Sequence, residues 1–77
     1  PGSWFKHNGN RVKITKAQET NLQGKPGEIL NENFIIACQE NSVKVLELQK
    51  EGKKKMKTSE YLKGNKLDIG SNIGKDL

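Results

Sequence analysis

The chain has 77 residues, of which 31% are hydrophobic, 5% aromatic and 30% charged. A chain of this length is expected to form one domain with a small core, because it buries only about 60% of the surface that its unfolded form exposes. A buried catalytic cleft with its own supporting residues is hard to build from so little. The single cysteine, Cys38, and single histidine, His7, exclude an internal disulfide and a zinc site made of such ligands.

Neither a membrane helix nor a signal peptide is expected in this chain. No apolar run approaches the ~20 residues that a membrane helix needs, and no basic start followed by an apolar stretch indicates a signal peptide. An unpaired cysteine in a basic chain of this kind is typical of a reducing compartment. We therefore expect a cytoplasmic protein.

The net charge of +5 is concentrated in two blocks. Residues 1–16 hold four basic residues and no acid, and residues 50–57 hold five lysines against one glutamate. Residues 17–49 carry a net charge of −3, and residues 58–77 are neutral. A diffuse excess of lysine is often only a soluble surface, whereas two concentrated blocks favour a polyanionic partner.

The first predicted element is a β-hairpin around Asn8-Gly9. An Asn-Gly pair between two alternating runs is the strongest short hairpin signal, because both turn residues need positive φ. The core face of this hairpin is expected to carry Phe5, Val12 and Ile14. The register that follows pairs His7 with Asn10, Lys6 with Arg11, Phe5 with Val12, and Trp4 with Lys13.

Three more strands are predicted after a loop at residues 16–26, which are polar and end in Gly24-Lys25-Pro26-Gly27. Short apolar runs bounded by turn residues place these strands at residues 28–30, 34–38 and 43–48. In the last strand the apolar phase switches at Leu46. This switch predicts a bulge or sharp bend that buries Val45, Leu46 and Leu48.

The C-terminal part predicts a loop, a short helix and a tail. Residues 50–57 form the predicted lysine-rich loop, and residues 58–63 predict one or two helical turns that end at Gly64. Residues 1–67 form the predicted domain, and residues 68–77 are expected to be a mobile tail. Five strands with hairpin turns and one short C-terminal helix predict a mainly β fold, a small and partly open five-stranded barrel.

No pattern in the sequence is typical of an enzyme active site. Residues 24–27 lack the spacing and the following helix of a phosphate-binding loop. Cys38 lies in the most apolar strand, where a thiol is normally inert, and His7 is interpreted as a surface or half-buried imidazole rather than a general base. The glutamates beside turns are interpreted as solvating charges; these are Glu28, Glu32 and Glu40.

The outer face of the first hairpin and the lysine run are the candidate binding sites. Lys6 and Arg11 are expected directly opposite each other, where like charges are normally unfavourable, with Trp4 nearby. Positive charge beside an aromatic ring suits phosphates and bases. The alternative is that Trp4 is covered by the helix or another domain and the lysines are only solvated. The candidate RNA-binding residues are Lys6, Arg11, Lys13, Lys53, Lys54, Lys55 and Lys57, with Trp4 as a further candidate.

Several segments, in this order, resemble the C-terminal domain of the methionyl-tRNA formyltransferase family. The resemblance covers about residues 1–67. The chain departs from the family at Lys57, where a small hydroxyl residue usually caps the helix and pairs with Glu60. The broken capping box predicts that the helix starts at Thr58. The matching segments are residues 1–4 (PGSW), 24–30 (GKPGEIL), 34–38 (FIIAC), 46–56 (LELQKEGKKKM) and 60–64 (EYLKG).

The resemblance implies an OB-like auxiliary domain. In this family a separate N-terminal domain binds 10-formyltetrahydrofolate and holds the catalytic residues, and the C-terminal domain contacts the tRNA backbone. The implied partners are initiator methionyl-tRNA, which is formylated for translation initiation, and that N-terminal domain of the same protein. The chain itself is expected to hold no metal or cofactor, to catalyse nothing and to contact no membrane.

Two alternatives stay open from the sequence. The C-terminal domain of a related formyltransferase that acts on a nucleotide sugar or folate would touch no nucleic acid, and it would have little reason for two basic blocks. Titration with tRNA at low salt distinguishes this case. A free-standing RNA-binding or ribosome-associated barrel is distinguished by whether the genome encodes this segment behind a formyltransferase domain.

Overall fold

The computed structural model describes residues 4–76, with the side chains of residues 75 and 76 excepted, so the motif residues Pro1, Gly2 and Ser3 lie outside the described part. No helix in that part is long and apolar enough to cross a membrane. The strands are followed by the helix α1 (Thr58–Gly64) and a 3₁₀ helix (Ile73–Asp76). The strands are β1 (Trp4–His7), β2 (Asn10–Thr20), β3 (Ile29–Asn31), β4 (Ile35–Ala37), β5 (Ser42–Lys50) and β6 (Lys55–Lys57).

All six strands form one antiparallel sheet that curls into a half-barrel. β5 is the central strand: β2 pairs along one edge, and β4 and β6 pair with successive parts of the other edge. The strand order is β1-β2-β5-β4-β3, with β6 beside β5. The predicted mainly β, partly open barrel with one short C-terminal helix is confirmed. The sixth strand forms within the predicted lysine-rich loop, because residues 55–57 fold back onto β5.

The first hairpin has the register predicted from its Asn-Gly turn. Asn8 and Gly9 have positive φ angles of 51° and 78°, as a two-residue hairpin turn requires. Phe5 and Val12 are buried in the core, and Ile14 packs against it. The observed pairs are Trp4 with Lys13, Phe5 with Val12, Lys6 with Arg11, and His7 with Asn10.

β2 continues to Thr20, whereas the sequence predicts a loop from Lys16 onward. Residues 16–19 are exposed, so this half of the strand extends beyond the core. It stays in the sheet because β5 offers backbone partners as far as Ser42. Backbone hydrogen bonds form with any non-proline residue, so this polar segment joins the sheet without the apolar pattern that would predict a strand.

The phase switch predicted at Leu46 is a bulge in the β2–β5 ladder. Thr15 and Leu46 are each left without a direct partner across the ladder, and Val45 and Leu48 are both fully buried as a result. Leu46 itself is only half-buried, so that part of the prediction was wrong. As the unpaired residue of the bulge, it lines a surface cleft instead of the core. The pairs that flank the bulge are Ile14 with Leu48, Lys16 with Glu47, and Ala17 with Val45.

Aromatic rings join the first hairpin to β4 and α1. Phe34 is fully buried although its φ is +58°, a conformation that is unusual for a bulky side chain. Its ring packs edge-on against Phe5 and stacks with Tyr61, with centroids 6.5 Å apart in both pairs. The carbonyl of Phe34 also accepts a hydrogen bond from the Val45 N–H at 3.0 Å. These contacts hold the strained residue in place.

His7 is buried, which corrects the interpretation of a surface or half-buried imidazole. It follows Phe5 by two residues, so strand alternation places both on the core face. Its Nδ1 lies 2.5 Å from the hydroxyl of Tyr61, and its ring packs against Phe34 at 5.6 Å. Burial lowers the pKa of His7, so the imidazole is kept neutral and serves as a link between β1 and α1.

The helix α1 begins at Thr58, as the broken capping box predicts. Lys57 occupies the N-cap position and makes no side-chain capping hydrogen bond. The Thr58 hydroxyl is buried and has no hydrogen-bond partner in the described part of the chain. The helix is fixed instead by Tyr61, which is 1% exposed and inserts into the core.

Part of the predicted tail packs along β3. The N–H of Gly70 donates to the carbonyl of Ile29 at 2.8 Å, and the N–H of Ile29 donates to Ser71 at 2.9 Å. Ile73 packs against the core, and the 3₁₀ helix contacts β1. Residues 70–73 therefore lie between the two edge strands. The mobility of residues 68–77 stays a prediction, but these contacts differ from those of a free tail, and Leu77 lies outside the described residues.

Replacing Leu48 with alanine should reduce the free energy of unfolding by about 2–5 kcal/mol, because this side chain is fully buried in a small core. Chemical denaturation measures the loss. Ile69→Ala is the control, since Ile69 is 50% exposed and should change stability little. A loss for Leu48→Ala as small as that of the control would contradict the packing described above.

Stability should fall as the pH decreases from about 7.5 to 5. The unfolded chain takes up a proton on His7 near the ordinary pKa of 6.5, whereas the buried imidazole resists protonation, so acid favours unfolding. The change should be smaller in His7→Gln, measured by denaturation across this pH range. Glu60 and Tyr61 titrate outside it, because a hydrogen bond from Lys63 lowers the pKa of Glu60 and burial raises the pKa of Tyr61. Equal pH dependence in both proteins would refute the assignment.

Candidate nucleic-acid interface

The sheet brings the two basic sequence blocks onto one surface. Residues paired directly across neighbouring strands point to the same side of a sheet. One such row runs through Trp4 in β1, Lys13 in β2, Gln49 in β5 and Lys55 in β6. With neighbouring strands about 4.8 Å apart, the row is ~14 Å wide. Lys13 and Lys55 are far apart in sequence and share this row because β2 and β6 flank the same strand.

A second row lies on the same face, nearer the hairpin turn. Lys6 pairs with Arg11, and the carbonyl of Arg11 accepts a hydrogen bond from the Glu51 N–H at 2.8 Å. The side chains of Arg11 and Glu51 also meet, because Arg11 Nη1 donates to Glu51 Oε2 at 2.5 Å. The row thus joins the first hairpin to the turn that follows β5.

A third row lies on the other side of the first. Glu47 in β5 pairs with Lys57 in β6 and, across the bulge, with Lys16 in β2. The Thr15 hydroxyl donates to Glu47 Oε1 at 2.8 Å, which orients this carboxylate. Lys57 therefore faces an acid, as Arg11 does in the second row. The outer surface of β1, β2, β5 and β6, here called the basic face, carries Trp4, Lys6, Arg11, Lys13, Lys55 and Lys57.

Trp4 is half-buried under cations of its own hairpin. The Arg11 guanidinium carbon lies 4.8 Å from the centroid of the indole ring, and Lys13 Nζ lies 5.2 Å from it. Cations over an aromatic face are attracted by the ring quadrupole. This attraction offsets the repulsion expected between neighbouring like charges, so the hairpin can hold several cations close together.

The predicted lysine-rich loop is a tight turn that leads directly into β6. The N–H of Lys53 donates to the carbonyl of Lys50 at 3.0 Å, and Gly52 has a φ of +78°. A glycine in this region suits the third position of such a turn. Gln49 Nε2 also donates to the Lys53 carbonyl at 2.9 Å. Lys53 and Lys54 are exposed at the edge of the basic face.

The carboxylates of this face were not predicted from the sequence. Glu47 and Glu51 lie on it together with Gln49, all at alternate positions of one strand and its turn. Strand alternation from the buried Leu48 would have indicated all three. These acids divide the face: the cations around Arg11 and Lys13 and those of the turn form its most basic part.

The charges are also separated along the molecule. The basic end lies where β2 starts and β5 ends, since these strands are antiparallel. Glu19 is near the far end of β2, and Glu40 lies in the turn before β5, beside that same far end. Such a separation orients a protein as it approaches a polyanion.

A metal site and a reactive thiol find little support in the described residues. Among the side chains that the structure describes, no group of three His, Cys, Asp or Glu residues is placed to bind a metal. Cys38 is half-buried just beyond β4 instead of lying within the core. Glu28 Oε1 accepts a hydrogen bond from the Lys25 N–H at 3.0 Å, which closes the loop before β3.

Comparison with known proteins agrees with the resemblance noted in the sequence. The sequence model of the family described as "Formyl transferase, C-terminal domain" matches residues 1–66. A methionyl-tRNA formyltransferase of Bradyrhizobium diazoefficiens is 37% identical over 92% of this chain and 24% of the relative's length. Those of Cereibacter sphaeroides and Paracoccus denitrificans are 41% identical over 92% of the chain and 43% over 87%, with 23% and 22% of their own lengths covered.

The chain spans about a quarter of the length of these relatives. The matched part includes both basic blocks, the strands β1 to β6 and α1. The predicted resemblance is thereby confirmed. The chain belongs to the formyl transferase C-terminal domain family, and the relatives it matches are methionyl-tRNA formyltransferases.

Proposed function

We propose that the chain is an auxiliary tRNA-binding domain of a methionyl-tRNA formyltransferase and that the basic face contacts the tRNA backbone. The proposal rests on one observation: two separate basic sequence blocks lie on one surface of the sheet. A surplus of lysine that only kept the protein soluble would not require the two blocks to lie on one surface. The names of the matched relatives supply the class of nucleic acid.

The size and charge of the face suit phosphates. The row from Trp4 to Lys55 spans ~14 Å, which is wide enough to reach several phosphate groups at the same time. Exposed lysines of the β5–β6 turn extend it further. The acidic side chains at the opposite end would turn the basic end toward the RNA during approach.

The contacts proposed here are with the backbone rather than with bases. Arg11 and Lys13 already cover the ring of Trp4, so the indole serves to position cations instead of offering a free stacking surface. Phosphate contacts fix the orientation of a protein on a nucleic acid but carry no sequence information. Selection of the initiator tRNA is therefore assigned to other parts of the parent enzyme.

Catalysis also belongs elsewhere in this proposal. The chain spans about a quarter of its relatives, and we assign the formyl transfer and the binding of 10-formyltetrahydrofolate to the N-terminal domain. This chain would hold the tRNA body while the aminoacylated end reaches that domain. A cytoplasmic location during translation initiation is part of the same proposal.

Affinity for tRNA should fall steeply with salt, with a slope of roughly −3 to −4 in a log–log plot if about four phosphates are neutralised. The triple substitution Lys53→Ala, Lys54→Ala and Lys55→Ala should make the slope shallower by ~2 to 3 and weaken different tRNAs alike. Fluorescence or filter-binding titrations at several salt concentrations measure both effects. A triple Lys→Ala change off the basic face is the control, at Lys25, Lys63 and Lys66.

Equal effects of both triple variants would assign binding to net charge alone. An unchanged slope in the first variant would leave only the hairpin part of the face as a candidate. In the full-length enzyme the first variant should raise KM with little change in kcat, because binding is lost equally in the ground and transition states. Absence of tRNA binding by the unmodified chain at low salt would overturn the proposal in favour of a formyltransferase domain that touches no nucleic acid.

A further inference from the structure

We infer that Glu51 is a built-in competitor for the phosphate that Arg11 binds. In the free chain its carboxylate occupies the Arg11 guanidinium, and a phosphate of the RNA displaces it on binding. This inference rests on the proposed function and adds a regulatory element to the same face.

The geometry leaves the guanidinium only partly satisfied. One nitrogen, Nη1, contacts one carboxylate oxygen of Glu51 at 2.5 Å. A guanidinium has five N–H donors in a planar fork, which matches two oxygens of a phosphate. A phosphate that makes a two-point contact can therefore replace the carboxylate, which makes a one-point contact here.

Exposure makes the pair easy to exchange. The side chains of Arg11 and Glu51 are 50% and 60% exposed, and ion pairs of such exposure are weak. The contact of Arg11 with Trp4 at 4.8 Å is independent of the carboxylate. The guanidinium thus stays over the indole ring, ready for a phosphate, when the carboxylate leaves.

The backbone keeps the competitor close without making its departure costly. The N–H of Glu51 donates to the Arg11 carbonyl at 2.8 Å, and the turn it belongs to is closed by the bond from Lys53 to Lys50. Only the Glu51 side chain has to rotate away, so no strand pairing is broken. An RNA that also contacts Lys13 and the turn lysines can displace it, whereas a single free phosphate has no such additional contacts.

The test compares tRNA binding by the 77-residue chain and its variants at fixed, moderate salt. Glu51→Gln should bind tRNA about two- to five-fold more tightly, the range expected when an exposed ion pair of this kind no longer competes. Arg11→Gln should weaken binding, and Glu51→Gln should bring no gain in the Arg11→Gln background. This cycle isolates the coupling between the two side chains.

Glu19→Gln is the matched control, since it makes the same charge change on the exposed, far part of β2. An equal gain in both Glu→Gln variants would show a general charge effect and overturn the inference. Weaker binding by Glu51→Gln would also overturn it, because Glu51 would then organise Arg11 instead of competing for it. A gain in tRNA affinity from Glu51→Gln that persists in the Arg11→Gln background would also overturn the inference.

The emission of Trp4, the only tryptophan of the chain, gives a second measurement. With tRNA the emission should change, because a phosphate bound to Arg11 alters the electric field of this cation at the indole ring. Inorganic phosphate at equal phosphate concentration should have little effect. An equal response to both would contradict the role of additional RNA contacts. If the unmodified chain fails to bind tRNA, the proposed function fails; if it binds but Glu51→Gln matches Glu19→Gln, only the present inference fails.

Discussion

The pairing of β2 with β5 is the constraint on which the sheet and its basic face depend. β5 holds β2 on one edge and β4 and β6 on the other, so every strand connects to it directly or through one neighbour. Antiparallel pairing places the start of β2 beside the end of β5. Cations from opposite halves of the chain become neighbours for that reason, although each half contributes only part of the surface.

The buried core supports this face from behind. Phe5 and Val12 lie on the inner side of the same hairpin that carries Lys6 and Arg11 outside, so the packing of one side fixes the positions of the other. The aromatic contacts of His7 and Phe34 with Tyr61 tie this hairpin to α1. A small domain with few apolar residues gains order from these specific ring contacts and from one buried hydrogen bond.

The basic face carries carboxylates as well as cations. Cations of the face are offset locally by the carboxylates of Glu47 and Glu51, each held by a partner on the neighbouring strand. A wholly basic surface would bind any polyanion tightly. Carboxylates placed among the cations make the binding of a polyanion depend on several simultaneous contacts.

Local signals in the sequence determined three features, because each depends on neighbouring residues. The Asn-Gly turn determined the hairpin register, and the missing cap determined the helix start at Thr58. The change of apolar phase determined the bulge at Leu46. The two charge blocks were equally visible. Tertiary structure alone decided that these blocks share a face, that polar residues 16–20 extend β2, and that His7 bonds to Tyr61. Those outcomes depend on which strands pair and which element covers which face. Such long-range contacts leave no pattern in the residues on either side, so only the folded sheet reveals that the two basic blocks share one face.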